Sequence, residues 1–147
     1  MKRIVGSTYH RMHRVLDMLC LGFSHDHIPT YSLHVQTQWR LIHDHQIILA
    51  SGDMYIPYSD AVGEDWDYSI HGRPNEESSF FDVKYKEIDR LMEESVVSNC
   101  TISEFGDLQI SFSNNVLFQI FIPTSLKDEE WRLVDLIRDE HIIFYDV

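Results

Sequence analysis

Nine histidines are this chain's largest stock of groups able to ligate or move protons, and four of them stand in two copies of one tripeptide, His25-Asp26-His27 and His43-Asp44-His45. Brought together, the two loops would offer four imidazoles and two carboxylates to zinc or nickel. The same tripeptides also suit turns, where Asp and His are common for conformational reasons, and His-x-His in an irregular loop fixes no ligand spacing. The turn reading is preferred; a small metal-dependent hydrolase using His25, His27, His43 and His45 is one alternative function for the chain, and a non-enzymatic intracellular scaffold is another. Other catalytic parts are scarce. The carboxylate pairs Asp65 with Asp67 and Glu76 with Glu77 would need an apolar pocket to act as acid and base, and the sequence places none around them. Cys20 and Cys100 lie in apolar patterns and read as reduced core thiols rather than nucleophiles. No G-x-S-x-G, P-loop, G-x-G-x-x-G or C-x-x-C occurs. The expectation is a protein without enzymatic activity, bound metal or cofactor.

Charge says more. The net charge of −12 is uneven, because Asp53 to Asp82 holds eight acids against the single Arg73. Such a chain repels nucleic-acid phosphates and anionic membranes, and its natural complement is a basic protein. Within that segment Tyr55, Tyr58 and Trp66 interleave with Asp53, Asp60, Glu64, Asp65 and Asp67, aromatic anchors inside a charged field, as expected of a partner-binding surface. Tyr68 belongs to the same stretch. Solubilising surface charge, with Trp66 closing the core beneath a loop, is the plainer reading of these residues.

The elements that must carry this surface fit one domain over residues 1–147. Ser7 is placed to cap a helix to about Leu21, with Tyr9, Met12, Leu16, Leu19 and Phe23 as its stripe and Gly22 as its stop. Alternation from Tyr31 to Leu41 predicts one long strand, returning through His43-Asp44-His45-Gln46 into Ile47-Ile48-Leu49. Most of 53–79 reads as loop, with a short strand at Asp67 to Ile70. A second helix starts at Ser79 or Asp82 and runs to about Glu94, and a strand covers Val96 to Ser103. Phe105 to Ile122 predicts a hairpin turning on Asn114-Asn115, which sets Phe112 opposite Leu117, Ile110 opposite Gln119 and Leu108 opposite Phe121. Its second strand must then be covered on both faces, in mid-sheet. Trp131 to Leu136 and His141 to Tyr145 form a last hairpin, and Trp131-Arg132-Leu133-Val134 echoes Trp39-Arg40-Leu41-Ile42, indicating two similar halves. The sum is an α+β fold, an antiparallel sheet of about seven strands built from hairpins with two packed helices. MKRIVGSTYHR lacks an apolar h-region and no run of about 18 apolar residues occurs, which gives a cytoplasmic expectation.

RVLDMLCLGF (14–23), LHVQTQWR (33–40), ILASGD (48–53), DWDY (65–68), FFD (80–82), FGDLQISFSN (105–114), EEWR (129–132) and HII (141–143) resemble a widespread family of small uncharacterised bacterial proteins. Similar small acidic proteins serve as immunity partners of secreted toxins, including those of contact-dependent inhibition systems. The resemblance implies a cytoplasmic protein that neutralises a cognate toxin, such as a basic nuclease domain, by occluding its active site with acidic surface. It carries no catalytic motif over to this chain.

Overall fold

In the computed structural model, which describes residues 1–60, 62–69 and 78–143, ten strands form two antiparallel sheets of five. They are β1 (Thr8–Val15), β2 (Met18–His25), β3 (Ile28–Val35), β4 (Gln38–His43), β5 (Gln46–Ala50), β6 (Val97–Ile102), β7 (Leu108–Phe112), β8 (Leu117–Phe121), β9 (Trp131–Asp135) and β10 (Glu140–Ile143). Only α1 (Phe80–Met92) is an α-helix among the described residues; Lys2–Ile4 and Ser51–Tyr55 are 3-10 turns. The expectation of one sheet of about seven strands with two helices is therefore corrected.

The first sheet has the order β1-β2-β3-β9-β10 and the second β5-β4-β8-β7-β6. Each half of the chain thus keeps three consecutive strands in one sheet and gives the following hairpin to the other. That exchange is the structural content of the tryptophan echo: Trp39 opens the donated β4-β5 hairpin and Trp131 the donated β9-β10 hairpin, and both side chains are buried. Alternating side chains from both sheets meet in one core, where Phe23 of β2 stacks on Phe112 of β7 with ring centroids 6.4 Å apart. Main-chain bonds from Gly6 to Val97 and from Tyr9 to Ser95 tie the start of β1 to the start of β6.

The expected first helix is the β1-β2 hairpin, and the reason is visible in its spacing. A bulge between Tyr9 and Arg11 stretches the inward step from two residues to three, so Tyr9 and Met12 both face the core. The turn at Leu16-Asp17 then completes a false 3.6-residue period, although Leu16 itself is half exposed. Gly22 terminates nothing; it lies mid-strand, where an added Cβ would meet the Arg11 side chain at 3.6 Å.

The long strand from Tyr31 to Leu41 is two strands in different sheets. Its alternation survives because Leu33, Val35, Trp39 and Leu41 all point inward while residues 36–37 cross between layers. The β7-β8 hairpin exists, but its register is one residue away from expectation: Leu108 pairs with Ile120, Ile110 with Phe118 and Ser111 with Leu117. Its loop has three residues rather than two, with Asn115 in the left-handed region (φ 63°). The Asn114 amide donates to the Leu91 carbonyl at the end of α1. With this register Val116, Phe118 and Ile120 share the buried face with Leu108, Ile110 and Phe112, so β8 is mid-sheet without being covered on both faces.

Helix α1 begins where expected, because Ser79 and Asp82 form a reciprocal capping box. Its inward residues Phe81, Ile88 and Met92 are buried, with Phe81 edge-on to Trp39 at 6.1 Å. The helix packs on β1 and β5. No strand forms over residues 67–69; Ile70, Arg73, Glu76, Glu77, Phe144 and Tyr145 lie outside the described residues. None of the described helices is long and apolar enough to cross a membrane.

Candidate functional site

Arg14 organises the acidic segment from beneath. It comes from the inward row of β1, and its guanidinium makes a two-pronged contact with Asp82, Nε and Nη2 each donating at 2.8 Å. Nη1 donates to the Leu16 carbonyl at 2.6 Å and Nη2 to the Tyr68 carbonyl at 2.8 Å. Both side chains of the pair are nearly excluded from solvent. Burial alone would raise the Asp82 carboxyl, but the Arg14 hydrogen bonds and charge, together with Ser79, outweigh it and hold the pKa below 3.8. One of the eight acids is thus neutralised internally, and the same cation anchors the β1-β2 turn, the start of α1 and the loop at Tyr68.

The expected partner-binding residues divide. Asp53 serves the backbone, accepting the Ala50 N–H at 2.8 Å. Tyr55 is 49% exposed, packs edge-on against Tyr68 at 4.8 Å and donates its hydroxyl to Asp17 at 3.0 Å. Burial, then the Asp17 bond, push the Tyr55 hydroxyl up to about 12. Tyr58 is 52% exposed and leans on Phe80. Trp66 is half-buried, and its main-chain N–H donates to the Gly63 carbonyl. Asp60, Glu64, Asp65 and Asp67 are exposed, and Asp67 is held below 3.8 first by the Ser69 backbone N–H. Sequence reasoning missed Ile56, 51% exposed between the tyrosines. It also missed Arg14 and Asp17, which a helix from Ser7 to Leu21 would set mostly opposite its apolar stripe.

The described residues also line concavities. A groove of about 450 Å³ lies at one end of the second sheet beside Thr101, Ser103, Asp107, Gln109, Gln119 and Phe121. Its polar groups are engaged with one another: Asp107 accepts from Ile122 N–H and Ser103, and Arg40, Gln119 and Gln109 form a cross-strand ladder. A smaller pocket of about 250 Å³ lies where the chain crosses between sheets, bounded by Asp17, Gln36, Gln38, Ser51, Tyr55 and Glu130.

The two His-Asp-His motifs are hairpin turns. Asp26 and His27 have φ of 49° and 65°, Asp44 and His45 of 48° and 63°, so each pair forms the centre of a type I′ turn. His25 is occupied locally, its Nε2 3.0 Å from Ser7 Oγ. Among the described residues no group of three or more His, Cys, Asp or Glu is placed to hold a metal ion. Cys20 and Cys100 are buried thiols whose pKa burial raises, Cys100 to about 11. No family model, curated protein or solved structure matches the chain.

Proposed function

We propose that this protein is a non-enzymatic inhibitor that binds a basic protein partner through the surface around Tyr55, Ile56 and Tyr58, as an immunity protein binds the toxin it neutralises. The observation that carries the proposal is that these three half-exposed apolar side chains and the exposed carboxylates Asp60, Glu64, Asp65 and Asp67 belong to one short segment, which Tyr55 closes on itself by packing against Tyr68. Aromatic anchors provide short-range affinity and the acidic field speeds encounter with a cation-rich surface. A basic nuclease domain, whose active site attracts phosphate, has the complementary charge. The carboxylates occlude that site by standing where phosphates would.

The test is affinity capture from the native cells through a salt series, followed by assay of the retained protein's activity. A basic protein held at low salt, released as salt rises and inhibited by this chain is the expected result. The triple variant E64Q/D65N/D67N should slow association and flatten its salt dependence. Absence of a basic partner, or inhibition indifferent to both salt and the triple variant, overturns the proposal.

A further inference from the structure

We infer that the pocket between Asp17, Tyr55 and Glu130 receives one arginine side chain of the basic partner, an assignment that rests on the protein-binding reading. At about 250 Å³ the cavity falls below the range of small-molecule sites, roughly 300–1,000 Å³, and is on the scale of a single long side chain. Two carboxylates border it. Glu130 is half-buried and its carboxylate has no hydrogen-bond partner among the described residues; Asp17 commits Oδ2 to the Tyr55 hydroxyl and leaves Oδ1 unbonded. Glu130 and Asp17 Oδ1 are therefore open to an incoming donor, and a cation supplies one together with its charge. The other groups around the cavity extend the same preference. Gln36 and Gln38 offer side-chain carbonyl oxygens, and the Tyr55 ring offers a face for a planar cation. A guanidinium, with five donors and a flat face, uses all of these; an ammonium uses fewer.

The pocket is also held in shape. Its Asp17 follows Leu16, whose carbonyl is bonded to Arg14, and its Tyr55 packs on Tyr68, whose carbonyl is bonded to the same guanidinium. Arg14 is therefore a positioning residue for two of the pocket's sides. The pocket shares Tyr55 with the exposed aromatic surface, so an arginine lodged there would sit at the margin of the larger contact. The larger groove on the second sheet has no comparable pair of uncommitted carboxylates, since its single acid, Asp107, is already bonded.

The experiment is a ¹⁵N NMR titration of the full chain with Nα-acetyl-arginine amide, with the corresponding lysine and norleucine amides run in parallel. Saturable shifts are expected at the amides of Asp17, Gln36, Gln38 and Tyr55, strongest for the arginine probe. They should weaken about tenfold or more in D17N/E130Q, the loss expected when charge-assisted bonds are removed. E130Q alone leaves the Asp17–Tyr55 bond in place and should still weaken binding, which separates recognition from damage to the pocket. Shifts spread over residues 60–67, equal responses to the lysine or norleucine probe, or binding unchanged in E130Q would overturn the assignment. Because the probe carries no partner protein, failure here leaves the affinity capture of a basic protein intact, and failure of the capture leaves this titration readable.

Discussion

The two ends of the sandwich contain tight hairpin turns that enter positive φ, at both central residues in the turns of one end and at Leu16 alone in the turn of the other, and they are stabilised in different ways. At one end the Asp26-His27 and Asp44-His45 turns enter the left-handed region with residue types that tolerate it, and each reverses its hairpin unaided. At the other, where the chain crosses between sheets, Leu16 has φ of 55° with no such tolerance, and its carbonyl is tethered by Arg14. A left-handed L-residue with a bulky side chain costs about 1–2 kcal/mol. The first end spends nothing beyond its own turn chemistry. The second stores strain that a buried cation must offset, and that is the end carrying the pocket, the aromatic surface and the exposed acids. Strain of this kind persists only where the surroundings over-determine it, and it tends to mark functional positions.

Removing the tether is the most severe way to break this contrast. Arg14→Met strands the Asp82 carboxylate in a buried position and frees the Leu16 and Tyr68 carbonyls, and loss of one partner of a buried ion pair costs roughly 3–5 kcal/mol. Denaturant unfolding should show that loss. Adding Asp82→Asn removes the stranded charge, so the double variant should recover part of the stability. A double variant no better than Arg14→Met would mean that the carbonyl tethers, rather than the ion pair, dominate. Replacing His27 at the far end with Asn, which keeps the tolerance of positive φ that this turn needs, should leave stability almost unchanged.

Glycine substitution sharpens the same comparison at lower cost. Leu16→Gly relieves the left-handed strain and should stabilise the fold by about 1 kcal/mol, while His27→Gly, which yields the favoured Asp-Gly turn, should gain a few tenths. Urea midpoints distinguish the two. If Leu16→Gly gains no more than His27→Gly, the Leu16 turn holds no special strain.

The sequence made these turns unequally legible. Both Asp-His pairs advertise a turn through residue type, as do Ser79 and Asp82 for the start of α1. Leu16-Asp17 does not: leucine is neither a turn former nor a left-handed residue by preference, and the bulge before Arg11 disguises alternation as a helical stripe. Once that hairpin is read as a helix, Arg14 falls on a solvent face and its three-way bonding cannot be anticipated. The crossing at residues 36–37 is hidden for the opposite reason, because inward alternation continues unbroken from one sheet to the next. The exposed acids and tyrosines could be named from charge and composition alone. What joins them to a pocket is Asp17 and Glu130, respectively 38 residues before and 75 residues after Tyr55, and only the paired sheets bring those together.

The gentlest probe is pH, which separates the Arg14 end from the outer face of the first sheet. Burial there lowers the pKa of His13 and His34 below 6.5, helped by Arg11 at His13 and by Arg132, His13 and His141 at His34, with Glu129 opposing. His13 Nδ1 is buried without a hydrogen-bond partner among the described residues, which also disfavours a second proton. Because the unfolded chain takes up these protons near pH 6.5 and the folded chain resists them, stability should decline as pH falls through that value. Asp82 acts lower. Its folded pKa lies below 3.8, so its contribution is fully present above about pH 4 and is lost as pH falls through the depressed value. Unfolding free energies measured from pH 8 to 3 should therefore show a shallow decline near 6.5 and a steeper one below 4. His34→Gln should reduce the first and leave the second, and Asp82→Asn should do the reverse. A single variant that alters both windows would show that the two regions are energetically coupled through β1, the strand that carries both His13 and Arg14.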